Sequence, residues 1–88
     1  MSNAYEPFQT KGDGKWHVWR QTIGWCPAKL GKDIRVGDEL LMNYGYRETV
    51  VSIDRVSEKT ITVTLKDHTG KLYAGRRIGK ETWKAVVA

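Results

Sequence analysis

The chain is short and basic: 88 residues carry 15 Lys and Arg side chains against 10 Asp and Glu, a formal net charge of +5. This length predicts one small domain with little room for a large enzyme cleft, so we expect no catalytic activity. Because 40% of the residues are hydrophobic, 28% are charged and no long apolar run occurs, the composition argues against a disordered chain and against a membrane protein.

The ends of the chain and its single cysteine bear on its origin. Met1-Ser2-Asn3-Ala4 is typical of a cloning remnant, so the predicted domain spans residues 5–88. No basic segment followed by an apolar stretch opens the chain, so we expect no secretory signal. Cys26 cannot form an intramolecular disulfide and suits a reducing, cytoplasmic compartment. A chain this small would suit a phage, plasmid or accessory bacterial protein.

The first third of the chain predicts a hairpin and then a loop. Gly12-Asp13-Gly14 separates residues 8–11 from the alternating segment 15–20, a pattern typical of a hairpin. Residues 22–32 contain Gly24, Pro27 and Gly31 and follow neither a helical nor a strand period. We therefore expect a long loop or a single helical turn there.

The middle of the chain predicts strands joined by tight turns. Residues 34–38 lead into a strand over 39–43, and Tyr44-Gly45 turns the chain back into a strand over 46–56. Residues 57–60 form the next turn and pair Val56 with Ile61. Keeping Ile53 opposite Val63 and Val51 opposite Leu65 needs one extra residue in the first strand, which predicts a β-bulge at Asp54-Arg55.

The following segment predicts a half-buried strand and a second hairpin. Apolar residues alternate with threonines over 60–66, and a four-residue turn at 67–70 would pair Leu65 with Leu72 and Val63 with Ala74. Residues 78–82 resemble a connector turn before a last strand over 83–87. We expect six or seven short antiparallel strands, almost no helix, and a core formed by these apolar residues: Val51, Ile53, Val56, Ile61, Val63, Leu65 and Leu72.

An apolar-x-apolar-Gly-Asp entry, Ile34-Arg35-Val36-Gly37-Asp38, precedes this meander of strands and the short turn before the last one. Over residues 34–87 the pattern resembles the SH3-like small β-barrels, which implies an all-β barrel. The chain lacks the acidic loop and paired aromatic residues with which signalling SH3 domains bind proline-rich peptides. The resemblance implies a class of ribosomal, nucleic-acid-binding and protein-binding modules and does not choose among them.

The positive charge is concentrated near the carboxyl end. Residues 70–88 carry five basic side chains and one acid, +4 of the net +5. The predicted register places Lys66, Lys71, Tyr73 and Arg77 on one face, and Lys80 and Lys84 extend it. Cations around an aromatic ring suit phosphate contact and base stacking, so we expect DNA or RNA binding with little sequence specificity. The alternative is a solvated face that only aids solubility.

Four tryptophans and four tyrosines suggest a second possibility. Trp16 and Val18 share one face of the first hairpin and Trp19 takes the other, so alternation places at most one of the two rings in the core. The other ring would cover the barrel mouth or stack against Trp25 and the loop around Pro27. Otherwise the chain is a protein-interaction or assembly module, because exposed aromatic rings are enriched in binding hot spots. The predicted partner-binding residues are Trp19, Trp25, Tyr44 and Tyr46.

Enzyme, metal and cofactor chemistry is not indicated. Cys26, His17 and His68 do not follow the spacing of a zinc motif, and a Cys-His nucleophile would need a proximity that the sequence does not show. His68 lies in a turn and is most simply solvated, and no glycine-rich phosphate loop precedes a helix. We expect no cofactor, no metal and a structural role for Cys26.

Overall fold

The computed structural model describes residues 6–12, 14–20, 23–42 and 45–87. The suggested cloning remnant at residues 1–4, Asp13 of the first turn, Thr22 and Tyr44 lie outside these described residues. Eight strands and one 3-10 turn follow in chain order. They are β1 Phe8–Gln9, β2 Trp16–Arg20, β3 Gly24–Leu30, the 3-10 turn Gly31–Asp33, β4 Glu39–Leu41, β5 Arg47–Val56, β6 Thr60–Lys66, β7 Leu72–Gly79 and β8 Trp83–Ala85.

The strands form two antiparallel sheets of four. The first sheet has the order β1-β2-β3-β8 and the second has the order β4-β5-β6-β7. They meet where Leu40 forms an isolated bridge with Val86 and where the N–H of Val87 donates to the carbonyl of Glu39 at 2.9 Å. The expected all-β class is confirmed, with more strands than expected. The described sheets are not closed into a barrel, so an SH3-like closure stays a prediction.

The segment expected to be a loop is the central strand β3. Cys26 pairs with Val18 of β2, and Ala28 pairs with both Trp16 of β2 and Ala85 of β8. Pro27 obscured this strand in the sequence because proline has no N–H to donate to a ladder. It lies just before the stretch that pairs with β8, and its carbonyl accepts a hydrogen bond from Val86 at 2.8 Å.

The predicted bulge in β5 is present, and a second bulge accompanies it. Ile53 pairs with Val63 and Val56 with Ile61, as expected, and the register shifts between Ile53 and Arg55, leaving Asp54 as the extra residue. The Asp54 carboxylate accepts hydrogen bonds from Ser52 and Thr64, both at 2.7 Å, which explains why the extra residue is held there. These hydrogen bonds lower the pKa of Asp54, and the bond from Thr64 has the larger effect.

The core only partly matches the expected set. Ile61, Val63 and Leu65 are buried, and the half-buried Ile53 packs against them, as predicted. The assignment of Val51 to the core, opposite Leu65, is wrong. A second bulge lies at Val51, so the fully buried Val50 pairs with Leu65 instead. The buried cluster that includes these strands consists of Ile34, Leu40, Val50, Ile61, Val63, Leu65, Ile78 and Val86.

Two further core assignments are wrong for reasons of position. Val56 pairs with Ile61 but is 65% exposed, because it is the last residue of β5 and does not join the buried cluster that contains its partner. Leu72 is 58% exposed, because it pairs with Lys66 instead of Leu65. A second, smaller cluster of Val18, Cys26 and Ala85 lies under the first sheet. Across the described residues, no helix has the length and apolar character needed to cross a membrane.

Candidate nucleic-acid interface

The β6–β7 loop is one residue longer than predicted, and this changes the site. Asp67 and Lys71 close it through a hydrogen bond from the Asp67 N–H to the Lys71 carbonyl at 3.0 Å, with Gly70 at φ 88°. Lys66 therefore pairs with Leu72 and Leu65 with Tyr73. The predicted pair of Leu65 with Leu72 is wrong, and so is the pair of Lys66 with Lys71 that the same register implied.

A bulge in β7 adjusts the register once more. Ala74 and Gly75 together lie opposite Thr64, and Gly75 adopts φ 72°, a conformation that favours glycine. Beyond the bulge Val63 pairs with Arg76, which replaces the expected pair of Val63 with Ala74. Likewise, Arg77 pairs with Thr62, whereas the predicted register implied a pair with Thr60.

The predicted basic face is consequently divided between two sides of the second sheet. Lys66 and Arg77 lie in register with threonines on the side opposite the core. Tyr73 pairs with the buried Leu65, and Arg76 pairs with the buried Val63, so both lie on the core side of the sheet. Neither is itself buried. Tyr73 thus does not share a face with Lys66 and Arg77, as the sequence had predicted.

Tyr73 and Arg76 line a groove of about 270 Å³ at the end of the second sheet where the β4–β5 and β6–β7 loops lie. We call this the loop-end groove. Its lining includes Tyr46, Arg47, Glu48, His68, Tyr73 and Arg76. Arg47 also approaches Glu39 at 3.8 Å, and both side chains are largely exposed. The groove therefore combines three rings, two guanidinium groups and the carboxylates of Glu48 and Asp67.

Asp67 organises the loop beside this groove. Its Oδ1 accepts hydrogen bonds from the N–H and hydroxyl of Thr69, at 2.9 and 2.6 Å, and from the N–H of Lys71 at 3.0 Å. Its Oδ2 accepts one from the Tyr73 hydroxyl at 3.1 Å. These hydrogen bonds, with the Thr69 hydroxyl the strongest cause, lower the pKa of Asp67 to about 2. The hydrogen bond that the Tyr73 hydroxyl donates to Asp67 raises the pKa of Tyr73.

Two rings outside the predicted nucleic-acid set meet at the mouth of the groove. Tyr46 is 62% exposed, and its ring lies nearly parallel to that of His68, with 23° between the planes and 6.4 Å between the centroids. On the other side of the loop, the Lys71 ammonium lies 5.3 Å from the centroid of the Tyr73 ring. The sequence held a signal for this meeting, because alternate loops of an antiparallel meander lie at the same end of the sheet.

Lys84 and Lys80, the two predicted extensions of the basic face, lie in different places. Lys84 is half-buried, and burial first, then the positive charges of Arg20 and Arg76, lower its pKa, while Glu48 opposes this. It therefore lies in the same basic region as Arg76. Lys80 follows the opposite end of β7, where its N–H donates to the carbonyl of Lys59 at 2.8 Å.

The first sheet carries a separate aromatic surface made of Phe8, His17, Trp19 and Trp25. Phe8 stacks on His17 with centroids 5.3 Å apart, and the Trp25 ring meets Phe8 and Trp19 edge to face at 4.8 and 5.6 Å. Of the two positions expected for the tryptophan outside the core, Trp19 thus takes the one against Trp25. Phe8, Trp19 and Trp25 remain 37–43% exposed.

Cys26 lies in the second buried cluster and is 2% exposed. Its Sγ donates to the carbonyl of Gly24 at 3.4 Å, and burial raises the pKa of the thiol. Within the described ranges, no group of three His, Cys, Asp or Glu side chains is placed to hold a metal ion. These observations fit a structural thiol, and the absence of catalytic and metal sites stays a prediction.

Comparison of the chain with protein-family models, with curated proteins and with solved structures found no match.

Proposed function

We propose that this protein is a non-enzymatic module that binds DNA or RNA through its phosphates, with little sequence specificity. The observation that carries the proposal is the charge of β6, β7 and the residues next to them. Residues 60–80 contain five cations and a single acid, +4 of the net charge of +5. The cations are Lys66, Lys71, Arg76, Arg77 and Lys80.

These cations are available for a ligand. In the described part of the chain, none of the five lies within ion-pair distance of a carboxylate, whereas Lys29 and Lys32 do form such pairs. The single acid of the hairpin, Asp67, already accepts hydrogen bonds from its own loop and from Tyr73. Four of these cations, Lys66, Lys71, Arg76 and Arg77, are exposed. Exposed cations without acidic partners attract phosphates, and release of the phosphates' counterions supplies most of the affinity.

The division of the basic residues between two sides is compatible with one strand of nucleic acid. Arg76 and Arg77 are adjacent in β7, so their side chains point to opposite sides of the sheet. β7 is the last strand of its sheet among the described residues. A phosphate backbone that follows this edge can contact both arginines, and Lys71 lies at the loop end of the same path.

The salt dependence of oligonucleotide binding tests the proposal. If about four cations meet phosphates, log K should fall with log salt at a slope of roughly −3 for a single strand and roughly −3.6 for a duplex. Arg77→Glu should weaken binding of both and flatten the slope by about one unit. Lys11→Glu is the matched control, because it makes the same change of charge at an exposed turn of the first sheet. Equal losses for both variants, or no binding by the unmodified protein at low salt, would refute the proposal.

The aromatic surface favours a second candidate function, a protein-interaction or assembly module. Three of its rings are more than a third exposed, and such rings contribute disproportionately to binding energy. Tyr46, also predicted for this role, lies in the loop-end groove of the other sheet, and Tyr44 lies outside the described residues. Affinity purification from the source cells with the unmodified protein, Trp25→Ala and Arg77→Glu separates the candidates. A partner lost with Trp25→Ala, retained with Arg77→Glu and insensitive to salt favours this second function.

A further inference from the structure

We propose that the loop-end groove is a subsite for one unpaired nucleobase, which stacks on the rings of Tyr46 and His68. The inference rests on the proposed binding of nucleic acid and adds a preference for single strands over duplex. It assigns a ligand contact to His68, which the sequence suggested was merely solvated.

The two rings provide a stacking surface. Their planes are within 23° of each other, and both side chains are exposed at the mouth of the groove. Every nucleobase has a π face, so stacking on such rings needs no particular sequence. On the aromatic surface Trp25 meets Phe8 and Trp19 at 77°, so these tryptophan rings offer a less suitable platform than the nearly parallel rings of Tyr46 and His68.

The platform is held in place before any ligand arrives. His68 follows Asp67 directly, and Asp67 accepts three hydrogen bonds from its own loop and a fourth from the Tyr73 hydroxyl of β7. A loop that is already ordered loses less conformational freedom when it binds. The ring of His68 is thus presented by a fixed turn.

The charges around the rings match a nucleotide. Arg47 and Arg76 line the groove and can meet the phosphates on either side of a stacked base. Glu48 also lines it, but the Lys84 ammonium lies close enough to interact with this carboxylate and opposes its charge. Asp67, the other acid, is engaged by its own loop.

The size of the groove sets the extent of the contact. Its volume of about 270 Å³ is slightly below the usual range of ligand pockets, roughly 300–1,000 Å³. It therefore has room for one base and part of its sugar. A base within a duplex already stacks on its neighbours and would have to unpair to enter, so the subsite favours single strands.

The decisive experiment compares single-stranded and duplex oligonucleotides of the same sequence by fluorescence anisotropy. Tyr46→Ala and His68→Ala should each lower single-strand affinity about fivefold to a hundredfold and change duplex affinity by less than about twofold. Tyr46→Phe keeps the ring and should retain single-strand binding. The effects of Tyr46→Ala and His68→Ala should not add in the double variant, because both rings contact one base.

Tryptophan emission provides an independent readout. No tryptophan is among the residues that line the loop-end groove. Single-strand binding should therefore leave the emission essentially unchanged. Quenching that disappears in Trp25→Ala would place the base on the aromatic surface and overturn the inference.

The outcomes separate this inference from the proposed function. If the unmodified protein binds neither oligonucleotide at low salt, the proposed function and the inference both fail. If it binds both with the expected salt slopes while Tyr46→Ala and His68→Ala leave the ratio of single-strand to duplex affinity unchanged, only the inference fails. Far-UV circular dichroism of each variant verifies the fold, which substitution of these exposed loop side chains should leave intact.

Discussion

Gly31 lies where β3 ends against the turn between β7 and β8, and replacing it with alanine should strongly destabilise the protein. The residue is buried, and a Cβ built on it would overlap the carbonyl oxygen of Gly79 and lie 2.9 Å from Cγ2 of Ile78. Its N–H donates to the carbonyl of Thr82 at 2.9 Å, and the next N–H, of Lys32, donates to Lys80 at 3.1 Å. The added methyl group must therefore separate two backbone segments that are hydrogen-bonded to each other.

The cost of Gly31→Ala can be worked out from these contacts. Overpacking typically costs about 1–3 kcal/mol. Each backbone hydrogen bond that lengthens adds up to about 1 kcal/mol. Alanine also lowers the conformational entropy of the unfolded chain, which stabilises the folded state by about 0.4–1 kcal/mol. We expect a net loss of about 2–4 kcal/mol in the free energy of unfolding, and a fall in Tm of at least about 8 °C for a domain of this size.

Urea denaturation followed by circular dichroism and tryptophan fluorescence measures this loss, with Gly12→Ala as the matched control. A Cβ on Gly12 would meet nothing within 4 Å. That variant should change the free energy of unfolding by less than about 0.5 kcal/mol. Equal effects of the two substitutions would show that the close approach of Gly31 to Gly79 does not hold the two segments together.

Three further outcomes are expected. Val63→Ala should cost about 1–3 kcal/mol in urea denaturation, because Val63 is fully buried, whereas Thr62→Ala on the opposite side should cost much less; similar values would show that the side assignment is wrong. The buried Cys26 thiol should react with a thiol reagent only as fast as the protein unfolds, and Cys26→Ala should leave oligonucleotide binding unchanged. The pKa of Asp67 is lowered to about 2, so its contribution to stability is present above its unfolded pKa of about 4 and is lost as pH falls through about 2. In Asp67→Asn, the free energy of unfolding should therefore fall less steeply as pH decreases across this range. The part of the acid sensitivity that comes from Asp54 should remain. An unchanged pH profile would contradict the assigned hydrogen bonds.

Alternation and turn spacing were enough to predict the β5–β6 hairpin. The apolar residues of β6 alternate strictly with threonines, and only one bulge position keeps Ile53 and Val56 opposite their partners. The second bulge at Val51 left no such signal, because Val50 and Val51 are equally apolar. Burial of the first and partial exposure of the second follow from tertiary packing.

The candidate site was predictable in its composition and not in its geometry. The cations after Gly70 are visible in the sequence, but a single extra loop residue, Lys71, moved Tyr73 to the other side of the sheet. Asp67 is the physical cause, because its carboxylate accepts the N–H groups of Thr69 and Lys71 and so stabilises a longer loop. Such side-chain capping is difficult to distinguish from an ordinary turn in one sequence.

Among the described residues β7 is the last strand of its sheet, which has a consequence for how copies of this protein behave in solution. A strand that ends its sheet is a template on which another chain can pair and begin to aggregate. Adjacent arginines at 76 and 77 oppose this by mutual repulsion between copies, and the bulge at Ala74 and Gly75 interrupts the flat edge. Substitutions that neutralise both arginines therefore remove a barrier to self-association as well as two proposed phosphate contacts. The same two side chains thus determine both the solubility of the protein and its affinity for the proposed ligand.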